Sequence, residues 1–132
     1  MPSLLPLFAS IVPFLLWPIE LLLPFPYIIE EVAKSTLIFP LLKLSNNTAK
    51  IKLTILIGVI FAVSEAVLYL FNIYLVGDIK TFALRLIITV PLHVLTSLSI
   101  LAPALLNRRL IVLGLISAIV LHYIFNLFIA FI

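Results

Sequence analysis

Apolar residues in this chain come as long runs, not at the spacing of a half-buried helix or strand. The runs are Ser3–Leu23, Phe25–Leu42, Leu53–Val76, Phe82–Leu106 and Leu110–Ile132. Each has about the length that carries an α-helix across the hydrocarbon core of a bilayer, where roughly 20 apolar residues suffice. The connections are short and polar: KLSNNTAKIK, GDIKT and NRR. This pattern predicts an all-α, polytopic transmembrane helix bundle of about five spans. Residues 1–132 then form a single transmembrane domain, with a proline-rich first segment (1–24) and a four-helix core (25–132). Pro2, Pro6, Pro13 and Pro18 make the first segment the weakest helix, since interior proline removes a hydrogen bond and bends the chain. A broken or re-entrant first segment is open. A cleaved leader is not expected, because no basic region precedes the apolar run.

Composition agrees with a bilayer as solvent. Hydrophobic residues make up 65% of the chain and charged residues 10%, against about half and a quarter in soluble domains. The net charge of +3 is no nucleic-acid signal, because most of the basic residues sit in the connections. Lys43, Lys50 and Lys52 lie between runs two and three, and Arg108 and Arg109 between runs four and five. The positive-inside rule places both connections in the cytoplasm. The N-terminus is then cytoplasmic and the C-terminus extracytoplasmic. Asn46-Asn47-Thr48 matches a glycosylation sequon but would face the cytoplasm. No cysteine is present, which excludes disulfides and thiolate chemistry.

The basic connections serve as depth markers. Glu30 stands 13 residues from Lys43, Glu65 13 from Lys52, His93 15 from Arg108 and His122 13 from Arg109. At 1.5 Å rise per residue all four lie about 20 Å from the basic edge. Four costly polar residues, one on each of four consecutive helices, therefore share one layer. A charge at the centre of a membrane helix costs about 2.5–3.5 kcal/mol on insertion scales. Titratable groups gathered at such a cost are candidates for proton transfer, metal binding or hydrolysis. Taken singly, each has a plain structural reading as a paired or hydrogen-bonded helix contact. Glu30 and Lys34 share a face, Glu31 is turned about 100° from it, and His122 shares a face with Asn126.

Four short patterns in order carry a resemblance. Glu30-Glu31-Val-Ala-Lys34 resembles the EExxK motif of PrsW-type intramembrane proteases. Phe61-Ala-Val-Ser-Glu65 resembles their FxxxE motif, His93 their looser third motif, and His122-Tyr-Ile-Phe-Asn126 their HxxxN motif. The wider superfamily includes the CAAX prenyl proteases and the APH-1 scaffold subunits of γ-secretase. Lys34 and Glu65, where CAAX enzymes have a later arginine and a histidine, point to the PrsW-type branch. The chain is shorter than most members.

The resemblance implies hydrolysis of peptide bonds in a transmembrane or membrane-anchored protein substrate. Glu30 and Glu65 would share one proton, and Glu30 would act as base toward a water molecule. His93 would orient that water or protonate the leaving amine. His122 and Asn126 would donate to the oxyanion. Lys34 would support the ionised glutamate, and Glu31 would be structural, capping a helix or pairing with Arg85. No cofactor is firmly implied. Zinc is compatible with Glu65, His93 and His122 as ligands and Glu30 as base. Two other classes stay open: a non-catalytic scaffold and a proton or cation transporter. Partners are the lipid bilayer and a membrane protein, with no nucleic acid. Self-association is open.

Overall fold

The computed structural model of the protein describes residues 2–76 and 79–130. The connection around Gly77 and Asp78, and the end of the last run at Phe131 and Ile132, lie outside the described residues. The described chain is helical, without strands among the described residues. The described residues form five α-helices: α1 (Leu5–Glu20), α2 (Pro26–Ile38), α3 (Asn47–Val76), α4 (Ile79–Leu106) and α5 (Ile111–Ala130). Four of them, with their flanking turns, are long and apolar enough to cross a membrane.

The exception is α2, which differs from the expected span over Phe25–Leu42. It has 13 residues and starts at a proline in its first turn. Pro40 then converts the chain to a 3-10 helix over Phe39–Lys43. Proline sterics delimit both ends of this helix. Inside α1, by contrast, Pro13 and Pro18 are absorbed into one continuous helix. Membrane helices tolerate this because neighbours can satisfy the freed carbonyls. Likewise α4 runs unbroken through Pro91 and Pro103.

Helix α3 packs along α4, α4 along α5, and α1 along α3, while α2 is wedged against α1, α4 and α5. Two glycines set the closest approaches. A Cβ at Gly58 would lie 2.8 Å from the His93 carbonyl oxygen, so α3 meets α4 backbone to backbone beside His93. A Cβ at Gly114 would lie 2.6 Å from the Ser99 and Ile100 carbonyl oxygens, which draws α5 onto α4. Small residues allow such contact where no hydrophobic force drives helices together in lipid.

The apolar core joins Ala9, Leu37, Ile38, Leu41, Ile57, Ile100, Leu101 and Ala118. On α2 to α5 these residues fall between the basic connections and the polar layer. The basic end of the bundle is therefore filled with hydrocarbon, and the polar residues sit above that plug.

Candidate functional site

Each of α2, α3, α4 and α5 delivers titratable side chains to one place. Helix α2 is enclosed by its neighbours over most of its circumference. Both Glu30 and Glu31 are consequently buried, with Lys34, although they point in different directions. Glu30 faces a cavity of about 110 Å³ that is also lined by Glu65, His93, His122 and Asn126. That volume accommodates a few water molecules. Pro26, Tyr69, Arg85, Thr89, Leu92, Phe125 and Ile129 complete the wall. Two larger grooves open outward, on the surface acyl chains would cover: one of about 300 Å³ is mainly apolar with Ser35 and Thr36 on its wall, and one of about 360 Å³ is almost wholly apolar.

Lys34 is the hub behind the cavity. Its ammonium donates to Glu31 Oε1 at 2.6 Å and to Thr96 Oγ1 at 2.7 Å, and it lies 3.2 Å from His93 Nδ1. Three acceptors match the three protons of an ammonium. Because Lys34 can only donate, His93 Nδ1 must accept, and the imidazole proton belongs on Nε2. His93 Nε2 is 2.7 Å from Glu65 Oε2. The two atoms contact each other closely, and neither has a further hydrogen-bond partner. Phe61 stacks on the His93 ring at 5.5 Å between centroids, which fixes the plane of the imidazole.

The second histidine is held in the same manner from the other side. Glu31 Oε1 lies 2.7 Å from His122 Nδ1. The carboxylate accepts there, so His122 Nδ1 carries a proton and Nε2 turns toward Glu30 Oε2, 3.8 Å away. The two imidazoles meet edge to face at 5.4 Å between centroids.

Three expectations change. Glu31 does not pair with Arg85: it bridges Lys34 and His122 in the interior, while the Arg85 guanidinium lies 4.0 Å from the centre of the Tyr69 ring. Lys34 bonds Glu31, three residues away, and not Glu30, because Glu30 is directed into the cavity. The compact ligand group among the described residues is Glu30, His93 and His122, with one ligand atom from each within 4.8 Å of the others. The expected zinc set had Glu65 in place of Glu30. Tyr69, Arg85, Thr89 and Thr96 were not singled out as site residues. Thr89 and Arg85 stand one and two turns from His93 on α4, and Tyr69 one turn from Glu65 on α3. That spacing was the signal available for them.

Metal binding makes specific demands on this donor set. Two histidines and a carboxylate suit zinc with one position open. His122 meets the requirement, since Glu31 holds its Nδ1 proton as an outer carboxylate partner does in many metal sites. Glu30 Oε2 is buried without a hydrogen-bond partner. His93 does not meet it. A ligand through Nε2 needs its proton on Nδ1, and there it would oppose the Lys34 ammonium at 3.2 Å, donor against donor. As hydrogen-bonded, the three residues do not fit a metal.

A family model described as PrsW family intramembrane metalloprotease matches residues 25–132. That range takes in α2 to α5 and leaves α1 outside. No curated protein and no solved structure matches the chain.

Proposed function

We propose that this chain, which belongs to the PrsW family of intramembrane proteases, cleaves its membrane-embedded protein substrate with a water molecule activated by Glu30. One observation carries the reading. Glu30 Oε2 is buried without a hydrogen-bond partner, Glu65 Oε2 and His93 Nε2 have none besides their 2.7 Å contact with each other, and all three residues line the same cavity. Buried polar atoms left unpaired are costly. An unpaired Glu30 oxygen beside the Glu65–His93 contact, in one small space, calls for a shared water.

The steps follow from the donors and acceptors. Glu30 takes a proton from the water as its oxygen attacks the scissile carbonyl carbon. His93, with its proton on Nε2, donates to the water or to Glu65 and holds the water in line. The carbonyl oxygen becomes an oxyanion. It is met by the Asn126 amide, while His122, held through Nδ1 by Glu31, lines the same space. The carbon–nitrogen bond then breaks. The proton gathered by Glu30 passes to the leaving nitrogen, directly or through His93. Glu65 is the neighbour that balances a protonated His93. The family description implies a metal, but the Lys34–His93 contact supports chemistry without one, and no step here passes through a metal.

Access belongs to the same reading. The apolar core fills the basic end of the bundle, so water and substrate reach the cavity from the opposite end. With the basic connections in the cytoplasm, that end is extracytoplasmic.

The test uses the purified protein in nanodiscs with a model transmembrane substrate. Glu30→Gln and His93→Ala are each expected to reduce cleavage by about 100-fold or more, with thermal melting as the control for folding. Metal content by mass spectrometry is expected to stay well below one ion per chain, and chelators are expected to leave the rate unchanged. Cleavage that survives both substitutions would exclude this site. Activity that follows added zinc would exclude the metal-free mechanism.

A further inference from the structure

We propose that Arg85, braced on Tyr69, is a carboxylate subsite of the substrate cleft and selects substrates with an acidic group near the scissile bond. This rests on reading the cavity as that cleft. The guanidinium is the one arginine among the described cavity-lining residues, and the cavity also holds Glu30 and Glu65. It serves neither glutamate: no described carboxylate lies within ion-pair distance of it. Its observed partner is a ring. The 4.0 Å contact with Tyr69 fixes the guanidinium while leaving its N–H edges to bind another group.

The placement gives a distance. Tyr69 is one turn beyond Glu65 on α3, and Arg85 is two turns before His93 on α4. One to two turns are about 6–12 Å along the bundle axis. An extended peptide covers that in roughly two to four residues at about 3.3 Å each. Thr89 lies between Arg85 and His93 on the same wall, and its hydroxyl donates to the Arg85 carbonyl at 2.8 Å. A strand laid from the reacting centre toward Arg85 therefore meets a guanidinium at its second to fourth residue.

Charge decides what that residue is. The negative charge that Glu30 and Glu65 carry between them repels an anion entering the cleft, and a fixed cation on its wall offsets that repulsion for an acidic substrate. Arginine binds carboxylates through two parallel hydrogen bonds, and the flat ring beneath it leaves that fork presented. The anion can be a Glu or Asp side chain or the terminal carboxylate of a short tail, and the two are distinguishable.

Binding is measured by fluorescence anisotropy on Glu30→Gln protein in nanodiscs, so that it is read without turnover. The probes are labelled apolar peptides of about 20 residues with one Glu stepped through successive positions, the matching Gln peptides, and free-acid against amidated C-termini. Placing Arg85→Gln in the same background is expected to weaken the best Glu peptide by about 10–100-fold, and the Gln peptide less than about 3-fold. Arg85→Lys is expected to recover part of the loss. Dependence on the free-acid terminus alone would assign the anion to a chain end. Equal loss for acidic and neutral peptides, or no loss, would overturn the proposal. So would an Arg85 effect confined to discs containing anionic lipid, since the guanidinium would then be reading a phosphate headgroup. Charge-selective binding without cleavage by the parent protein would refute the protease mechanism and leave the subsite standing.

Discussion

Lys34→Met tests the reasoning most directly, because one side chain holds both halves of the site. Lys34 and Glu31 are both fully buried and 2.6 Å apart. Replacing the lysine leaves a buried carboxylate with His122 as its remaining partner, an orphaned His93 Nδ1 and a Thr96 hydroxyl without its donor. Breaking a buried ion pair on one side costs about 3–5 kcal/mol, chiefly through the uncompensated charge. Glu31→Gln should cost a similar amount, since it strips charge from the bonds to Lys34 and His122. The double substitution removes both charges and should cost less than the sum, with a coupling of about 2–3 kcal/mol. Reversible unfolding in mixed detergent micelles measures all four corners of the cycle. A Lys34→Met penalty below about 1 kcal/mol would place the pair in the class of exposed ion pairs and refute the hub. Strict additivity would do the same.

The same substitution also frees the His93 tautomer. Without Lys34, His93 Nδ1 can carry the proton and Nε2 can present a lone pair toward Glu30 and His122. Lys34→Met is therefore expected to bind zinc more tightly than the parent protein, read by competition with a fluorescent chelator. Unchanged zinc affinity would mean that Lys34 is not what sets the tautomer.

Gly58→Ala is expected to push α4 away from α3 at the His93 carbonyl, destabilising by about 1–3 kcal/mol as overpacking does, and to lower turnover further than the same loss of stability imposed by Gly114→Ala at the α4–α5 contact. Asn126→Ala is expected to reduce kcat by about 100-fold with little change in KM, the pattern of a group that acts on the transition state. Since the chain has no native cysteine, single-cysteine variants report access cleanly. Thr89→Cys should react with a membrane-impermeant maleimide added from the side opposite the basic connections, and Leu41→Cys, in the apolar plug, from neither side.

The polar layer was legible from the sequence because lipid makes each charged residue expensive. Spacing from the lysines and arginines then put Glu30, Glu65, His93 and His122 at one level, and the four line one cavity. What spacing could not give was the direction of Glu31. A wheel assigns one face to the interior, and Glu31 lies off the face of Glu30. The expectation fails because the buried arc of α2 is broad: Glu30, Glu31, Lys34, Leu37 and Ile38 are all buried, and the exposed stripe is Ile28, Val32 and Thr36. Arg85 was illegible for a different reason: a single cation near a helix end has the look of an interface anchor, and only its proximity to Tyr69 and the cavity separates the two. The expected span Phe25–Leu42 ran through Pro40, because an apolar run hides how far a proline shortens a helix.

On the proposed reading of the site, that shortening is what opens the cleft. Glu30 is four residues, about 6 Å, from the first residue of α2. Beyond the same layer α3 continues from Glu65 to Val76, α5 from His122 to Ala130, and α4 reaches back from His93 to Ile79. Those extensions are about 12–21 Å of helix. The wall above Glu30 is thus one turn high on the α2 side and two to four turns high on the others. Arg85 and Tyr69 stand on the tall walls. On the proposed protease reading, a substrate segment unwound from its own helix would enter over the low wall at Pro26, lie against α3 and α4, and bring its carbonyl to the water without the bundle separating. Had α2 run as a full span, Glu30 would be sealed at the same depth with no path for water, and the cost of burying it would have no use.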